Sequence, residues 1–180
     1  LYDTELGDVN TDVSPILFLQ GTQMTCCDSM MRDFAQTIVK VKDRHHLILL
    51  AEQILQHIPY QPESTSVTTS AIDSFYAGQG VCQDHAHVFI AMCRALQLPA
   101  RYVSGYLYDQ NQPHLASHAW AEVFVENEWY CFDISNQIFT PKSHIYVAIG
   151  RDYLDVAPVR GVREQGGIES MTSSVQVLAC

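Results

Sequence analysis

The sequence predicts an α+β fold in which helices come first and pack on an antiparallel sheet that comes second. Three observations carry this expectation. Through residues 27–40, 47–58 and 82–96 apolar side chains recur at three and four positions, the period of a helix with a buried face. After Pro99 the period changes to that of sheet, in segments rich in aromatic and β-branched residues. The two patterns occupy successive parts of the chain instead of alternating, which is α+β order.

Residues 1–24 mix turn formers with one apolar patch, Pro15 to Leu19, and read as an extended lead-in packed on the body. From about Cys27 to Lys40, the residues Met30, Met31, Phe34, Ala35, Ile38 and Val39 form one apolar face, with Asp28 or Ser29 near the helix start. Leu47 to Ile58 gives a second helix, with Leu47, Leu50, Ala51, Ile54, Leu55 and Ile58 inward and Pro59 ending it. Residues 61–70 are a polar loop. Ser70 to Tyr76 is a short helix with a serine cap and Asp73 three residues on, the layout of a capping box. Gly78 and Gly80 then bend the chain into a helix that opens at Cys82, carries Ala86, Phe89, Ile90, Cys93 and Leu96 as its apolar stripe, and stops at Pro99.

Strands are expected over residues 101–108, 118–125, 129–134 and 145–149, the middle two forming a hairpin around Glu126-Asn127-Glu128. Residues 109–115 read as a polar loop, 150–163 as irregular and 174–179 as a closing strand. The length suits one domain, with a lead-in over 1–24, a core over 25–165 and a C-terminal strand over 166–180.

Twenty acidic residues against ten Lys plus Arg leave a net charge of −10 with no basic cluster, which argues against nucleic acid or an anionic membrane as partner. No apolar run approaches the roughly twenty residues that span a bilayer, and the N-terminus lacks a signal-peptide layout. Because the chain opens on Leu1, it is expected to be a piece of a longer protein. Six cysteines without regular spacing do not make a disulfide scaffold, so the expected location is the reducing cytoplasm, where a thiol stays free to work.

That thiol is Cys82. The first turn of a helix carries unpaired N–H groups and the positive end of the helix dipole, and both favour an anionic sulfur. A thiol attacks an amide efficiently only when a base holds it as thiolate and a third group orients the base. His118 and Asp133 are the candidates. A two-residue loop at Glu126-Asn127 would set Asp133 opposite Trp120 and make His118 its same-face diagonal neighbour, whereas a three-residue loop would put them on opposite faces. The chemistry selects the two-residue register. The backbone N–H of Cys82 is a natural oxyanion donor and Gln79 is the candidate for a second; Trp120 and Trp129 are expected to flank the site and shield it from water.

Cys93 and Cys131 lie in apolar segments and read as inert core residues. Cys82, His85 and His87 also spell C-x-x-H-x-H, but helical residues two apart point about 200° from each other, so the three cannot converge on one tetrahedral ion. No metal or organic cofactor is expected; His85 is read as lining the cleft and His87 as making a structural hydrogen bond.

Gly80-Val-Cys-Gln-Asp-His-Ala-His87, Ile90-Ala-Met-Cys-Arg-Ala-Leu96, Pro99-Ala-Arg-Tyr-Val-Ser-Gly-Tyr106, Ser117-His-Ala-Trp-Ala-Glu-Val123 and Phe132-Asp133 together resemble the core of the bacterial transglutaminase-like family, often described as candidate cysteine proteases. Gly150-Arg-Asp-Tyr-Leu-Asp-Val-Ala-Pro-Val-Arg-Gly161 resembles the segment that follows that core, so the likeness covers roughly residues 25–165. It implies a papain-like core and a Cys-His-Asp triad at Cys82, His118 and Asp133. The sequence departs from the family at His85, where an aromatic residue is more usual, and at Ile134-Ser135, where Pro-Thr is. The N-terminal β domain common in that family is not evident.

The expected activity is acyl transfer on an amide of a protein or peptide, through a thioester released to water by a peptidase or amidase. The alternatives are release to an amine by a transglutaminase, and a catalytically silent peptide-binding domain, for which all three polar residues would be superfluous. Residues 109–115 and 63–69 are expected to border the cleft.

Overall fold

A computed structural model of the chain describes residues 13–108 and 117–157, and shows the expected α+β order. Four helices, α1 (Ser29–Ile38), α2 (Arg44–His57), α3 (Ala71–Ala77) and α4 (Cys82–Ala95), precede the strands β1 (Ala100–Leu107), β2 (Ser117–Val125), β3 (Glu128–Phe132) and β4 (His144–Gly150). The strands form one antiparallel sheet in the order β3-β2-β1-β4.

Short-range chemistry places most helix ends. Asp28 caps α1 by accepting from Met31 N, Asp43 caps α2 from His46 N, and Ser70 with Asp73 forms the capping box of α3. Helix α3 ends at Gly78, whose φ of 64° is the left-handed conformation that glycine tolerates best.

Helix α4 is the centre of the core. Ala86 and Val88 to Cys93 are all buried, because α4 contacts the other three helices as well as β1 and β2. The small residues Ala119 and Ala121 of β2 join this cluster and let the helix approach the sheet. Each fully buried Leu, Ile or Phe here contributes about 1.5–3 kcal/mol. On the other sheet face, Val103, Trp120 and Cys131 form a smaller apolar cluster.

Several expectations are corrected. Met30, placed on the apolar face of α1, is 56% exposed. Helix α2 begins at Arg44, three residues early, because its cap is Asp43. Within the lead-in, Pro15–Phe18 is a 3-10 turn. The buried guanidinium of Arg94 fastens this stretch by donating to Phe18 O and Thr25 Oγ1, and to Ala100 O and Arg151 O. The segment after β4 is not wholly irregular: Asp152 caps a short helix, α5 (Tyr153–Val156). The closing strand expected at 174–179 lies outside the described residues, as does the loop at 109–115.

Buried His87 links α4 to α5 by accepting from Tyr153 N at 3.1 Å. Burial pushes its pKa from 6.5 down to about 4, so the ring folds neutral. The unfolded chain takes up the proton first as pH falls. His87's contribution to stability is therefore complete above 6.5 and is lost as pH falls toward about 4. Urea unfolding between neutral pH and about pH 4.5 should show a shallower loss of stability in His87→Gln than in the parent.

Candidate active site

Cys82 opens α4 after Val81, whose extended backbone forms the N-cap. The acid at the third helical position pins this corner. Asp84, buried, accepts from Val81 N at 2.8 Å, from Thr65 Oγ1 at 2.6 Å and from Ser74 Oγ at 2.9 Å. One carboxylate thus ties the 61–70 loop and α3 to the turn that presents the sulfur. Gly80 is required beside it, since a Cβ there would lie 2.8 Å from Asp84 Cβ. Asp84 is not among the candidate residues drawn from the sequence, although an acid three residues past a cap is the same signal that Ser70 and Asp73 give. The 63–69 loop does reach this end of α4: Gln83 Nε2 donates to Val67 O at 3.1 Å.

The hairpin has the two-residue loop. Val125 pairs with Glu128, and Glu126 and Asn127 take φ values of 53° and 68°, the left-handed pair of a type I′ turn. With Ala121 opposite Phe132, the register carries Asp133, just past β3, to the level of Trp120. His118 Nε2 then donates to Asp133 Oδ2 at 2.8 Å. This leaves Nδ1 of the ring for the sulfur of Cys82. Burial alone would depress the pKa of His118, but hydrogen bonds and charge from Asp133 and Cys82 outweigh it and raise it to about 9. The site therefore favours an imidazolium at neutral pH, the form that stabilises an adjacent thiolate.

Asp133 is fully buried and well supplied with donors. Oδ2 also accepts from Asn136 Nδ2 at 2.9 Å and His144 Nε2 at 3.1 Å, and Oδ1 accepts from Asn136 N at 3.2 Å. Burial opposes its ionisation, yet these bonds, led by those from the two histidines, hold its carboxyl below the usual carboxylate range. Asn136 and His144 were not foreseen. Asn136 follows the aspartate at a spacing typical of local turns, but no local pattern links His144 to Asp133. The ligating atoms of His118, Asp133 and His144 lie within 4.8 Å of one another, close enough to surround an ion. The hydrogen bonds between them already account for the approach.

The supporting candidates fare differently. Gln79 is exposed on the loop three residues before Cys82. His85 does not line a cleft: it is fully buried, with Nε2 donating to Ile58 O and Nδ1 accepting from Ser135 Oγ, both at 2.8 Å. Its two partners account for the burial of a polar ring, and the two departures from the family pattern, His85 and Ser135, thus touch each other. Trp120 is fully buried and stacks on His118 at 5.9 Å. Trp129 is remote from this cluster, packing on Phe18 and Phe124 with the Arg101 guanidinium 4.0 Å from its ring centre. Buried Cys93 and Cys131 both have their thiol pKa pushed up by burial, consistent with core roles.

The fold and site together are those of a thiol-bearing helix packed on an antiparallel sheet. Residues 32–134 match the model of the transglutaminase-like superfamily, more than half of the chain, and the protein belongs to that family. An uncharacterised protein of Mycobacterium leprae is 30% identical over 166 residues, covering 88% of this chain and 59% of its own length. Another from Mycobacterium tuberculosis is 38% identical over 125 residues, covering 63% of this chain and 40% of its own. Among solved structures, a candidate cysteine protease from Cytophaga hutchinsonii superposes with a TM-score of 0.69 at 30% identity, over 85% of this chain and 52% of that one. The periplasmic domain of TgpA from Pseudomonas aeruginosa shares the fold, with a TM-score of 0.54 at 22% identity, over 69% of this chain and 49% of that one. The chain thus spans about half the length of the proteins it resembles. Among the described residues, no helix is long and apolar enough to cross a membrane.

Proposed function

We propose that the protein hydrolyses amide bonds of peptides or proteins through a thioester on Cys82. The observation that carries this reading is the His118 ring, bonded through Nε2 to Asp133 at 2.8 Å and raised in pKa by Asp133 together with Cys82. The thiolate attacks the carbonyl carbon, and the backbone N–H of Cys82 at the start of α4 stabilises the oxyanion. Imidazolium His118 gives its proton to the departing amine. The neutral ring then draws a proton from water as the water attacks the thioester, and Asp133 keeps the ring aligned throughout. The likeness to the Cytophaga protein supports hydrolysis as the outcome. Family membership supports the alternative, in which an amine takes the place of water. The reading includes a reducing compartment, in keeping with the free thiols of all five described cysteines.

Limiting iodoacetamide at mildly acidic pH, followed by mass mapping, tests the reading. Cys82 should be labelled ahead of exposed Cys26, and the preference should vanish in His118→Ala. Labelling of Cys82 no faster than Cys26 would refute it. Incubating glutamine-containing peptides with a labelled amine separates the outcomes, by incorporation against release of ammonia.

A further inference from the structure

We infer that His144 is a positioning residue of this site: from the opposite edge strand of the sheet it holds the Asp133 carboxylate in the orientation that lets Asp133 align His118. The inference rests on the acyl-transfer reading above and adds a residue that the family motifs quoted from the sequence do not include.

The topology brings the two together. Asp133 follows β3 at one edge of the sheet, and His144 opens β4 at the other, paired with Leu107 of β1. The side chain of His144 is completely buried. Among the described residues its side chain makes one hydrogen bond, from Nε2 to Asp133 Oδ2 at 3.1 Å, and Nδ1 has no partner there. Burying an imidazole costs free energy unless its polar atoms are matched. A ring kept for packing alone would be better replaced by an apolar one.

A carboxylate only accepts hydrogen bonds, so both histidines present N–H at Nε2. The Asp133 oxygen therefore sets both tautomers, leaving Nδ1 of neutral His118 bare to receive a proton from the sulfur. Asn136 contacts both carboxylate oxygens from the loop side, and His144 adds the grip from β4. The Trp120 ring stacks on His118 and meets His144 edge-on at 4.6 Å, so one indole fixes both imidazoles. Two positions beyond Trp120, on the same face of β2, stands Glu122. It is satisfied by Arg101 and by the Tyr146 hydroxyl, each at 2.7 Å, and does not compete for Asp133 or His144.

The test uses iodoacetate, an anion that the imidazolium beside Cys82 draws in for attack by the thiolate, which displaces iodide. Its rate should fall at high pH as His118 loses its proton, giving a basic limb that reports the His118–Asp133 pair without knowledge of the substrate. In His144→Ala the limb should move down by about one pH unit or more as Asp133 loosens. His144→Gln carries an amide nitrogen to the place of Nε2 and should restore it; His144→Asn reaches only as far as Nδ1 and should not. The two amide variants keep a polar, similarly sized side chain, so the comparison holds even where the alanine variant folds poorly. A limb unchanged or raised in His144→Asn, or lowered equally in both amide variants, overturns the positioning role. Cys82 alkylated no faster than Cys26 in the parent protein overturns the acyl-transfer reading instead.

Discussion

Asp133→Asn is expected to slow any amide hydrolysis by roughly a hundred- to ten-thousand-fold, and alkylation of Cys82 by a smaller factor, because an unassisted cysteine is still about a few per cent thiolate at neutral pH. Three donors converge on Oδ2 of Asp133 and a fourth reaches Oδ1. An asparagine brings its NH2 to one of these positions, where it faces an N–H instead of accepting from it. It also removes the negative charge that helps to hold His118 protonated. Breaking a buried charged pair in this way costs about 3–5 kcal/mol of stability. The pH dependence follows from the signs. Because the Asp133 carboxyl is held below its usual 3.8, its stabilisation is complete above that value and is lost as pH falls below it. Because His118 is raised from 6.5 to about 9, its stabilisation is complete below 6.5 and is lost as pH rises through 9. Both slopes should flatten in Asp133→Asn, measured by urea unfolding across the pH range. Parent-like alkylation in a folded variant would remove Asp133 from the chemistry.

Gly105→Ala should be the most damaging change to the fold near the site. Gly105 pairs with His118 on one side and Tyr146 on the other, at the irregularity where β4 shifts register against β1. A Cβ there would overlap the carbonyl oxygen of Ile145 and lie 2.7 Å from Trp120 Cη2. The first obstacle is backbone and cannot swing aside; the second is the ring that packs on both histidines. A loss of about 3 kcal/mol is expected in thermal or urea unfolding, with slower alkylation of Cys82 as Trp120 shifts. Gly21→Ala is the control, since its Cβ would meet nothing nearer than Thr25 O at 3.4 Å. Equal stability of the two variants would mean that β4 yields at Ile145, against the packing described.

Much of this architecture is legible from local chemistry. Helices α1 to α4 announce themselves by apolar period and capping residues, and the strands by composition after Pro99. Position Cys82 is readable because a glycine-broken loop meets an apolar helix there. The hairpin register was open, since Glu126-Asn127 lacks the glycine that marks a type I′ turn. Met30 was misplaced because it sits at the boundary of the helix's apolar arc, where period alone cannot tell the buried edge from the exposed one.

The sequence by itself determined the order of the elements, the placing of a cysteine at a helix start, and the candidacy of His118 and Asp133. The reason is that periodicity and capping act over a few residues. Tertiary structure decided how buried polar groups are matched. It set Asp84 between a loop, a helix and a turn, sealed His85 against Ser135 and Ile58, and brought His144 to Asp133 from the far edge of the sheet. A buried polar atom takes whichever partner the packing delivers, from 3 residues away for Asn136 or 50 for Ser135, and no local pattern encodes that choice.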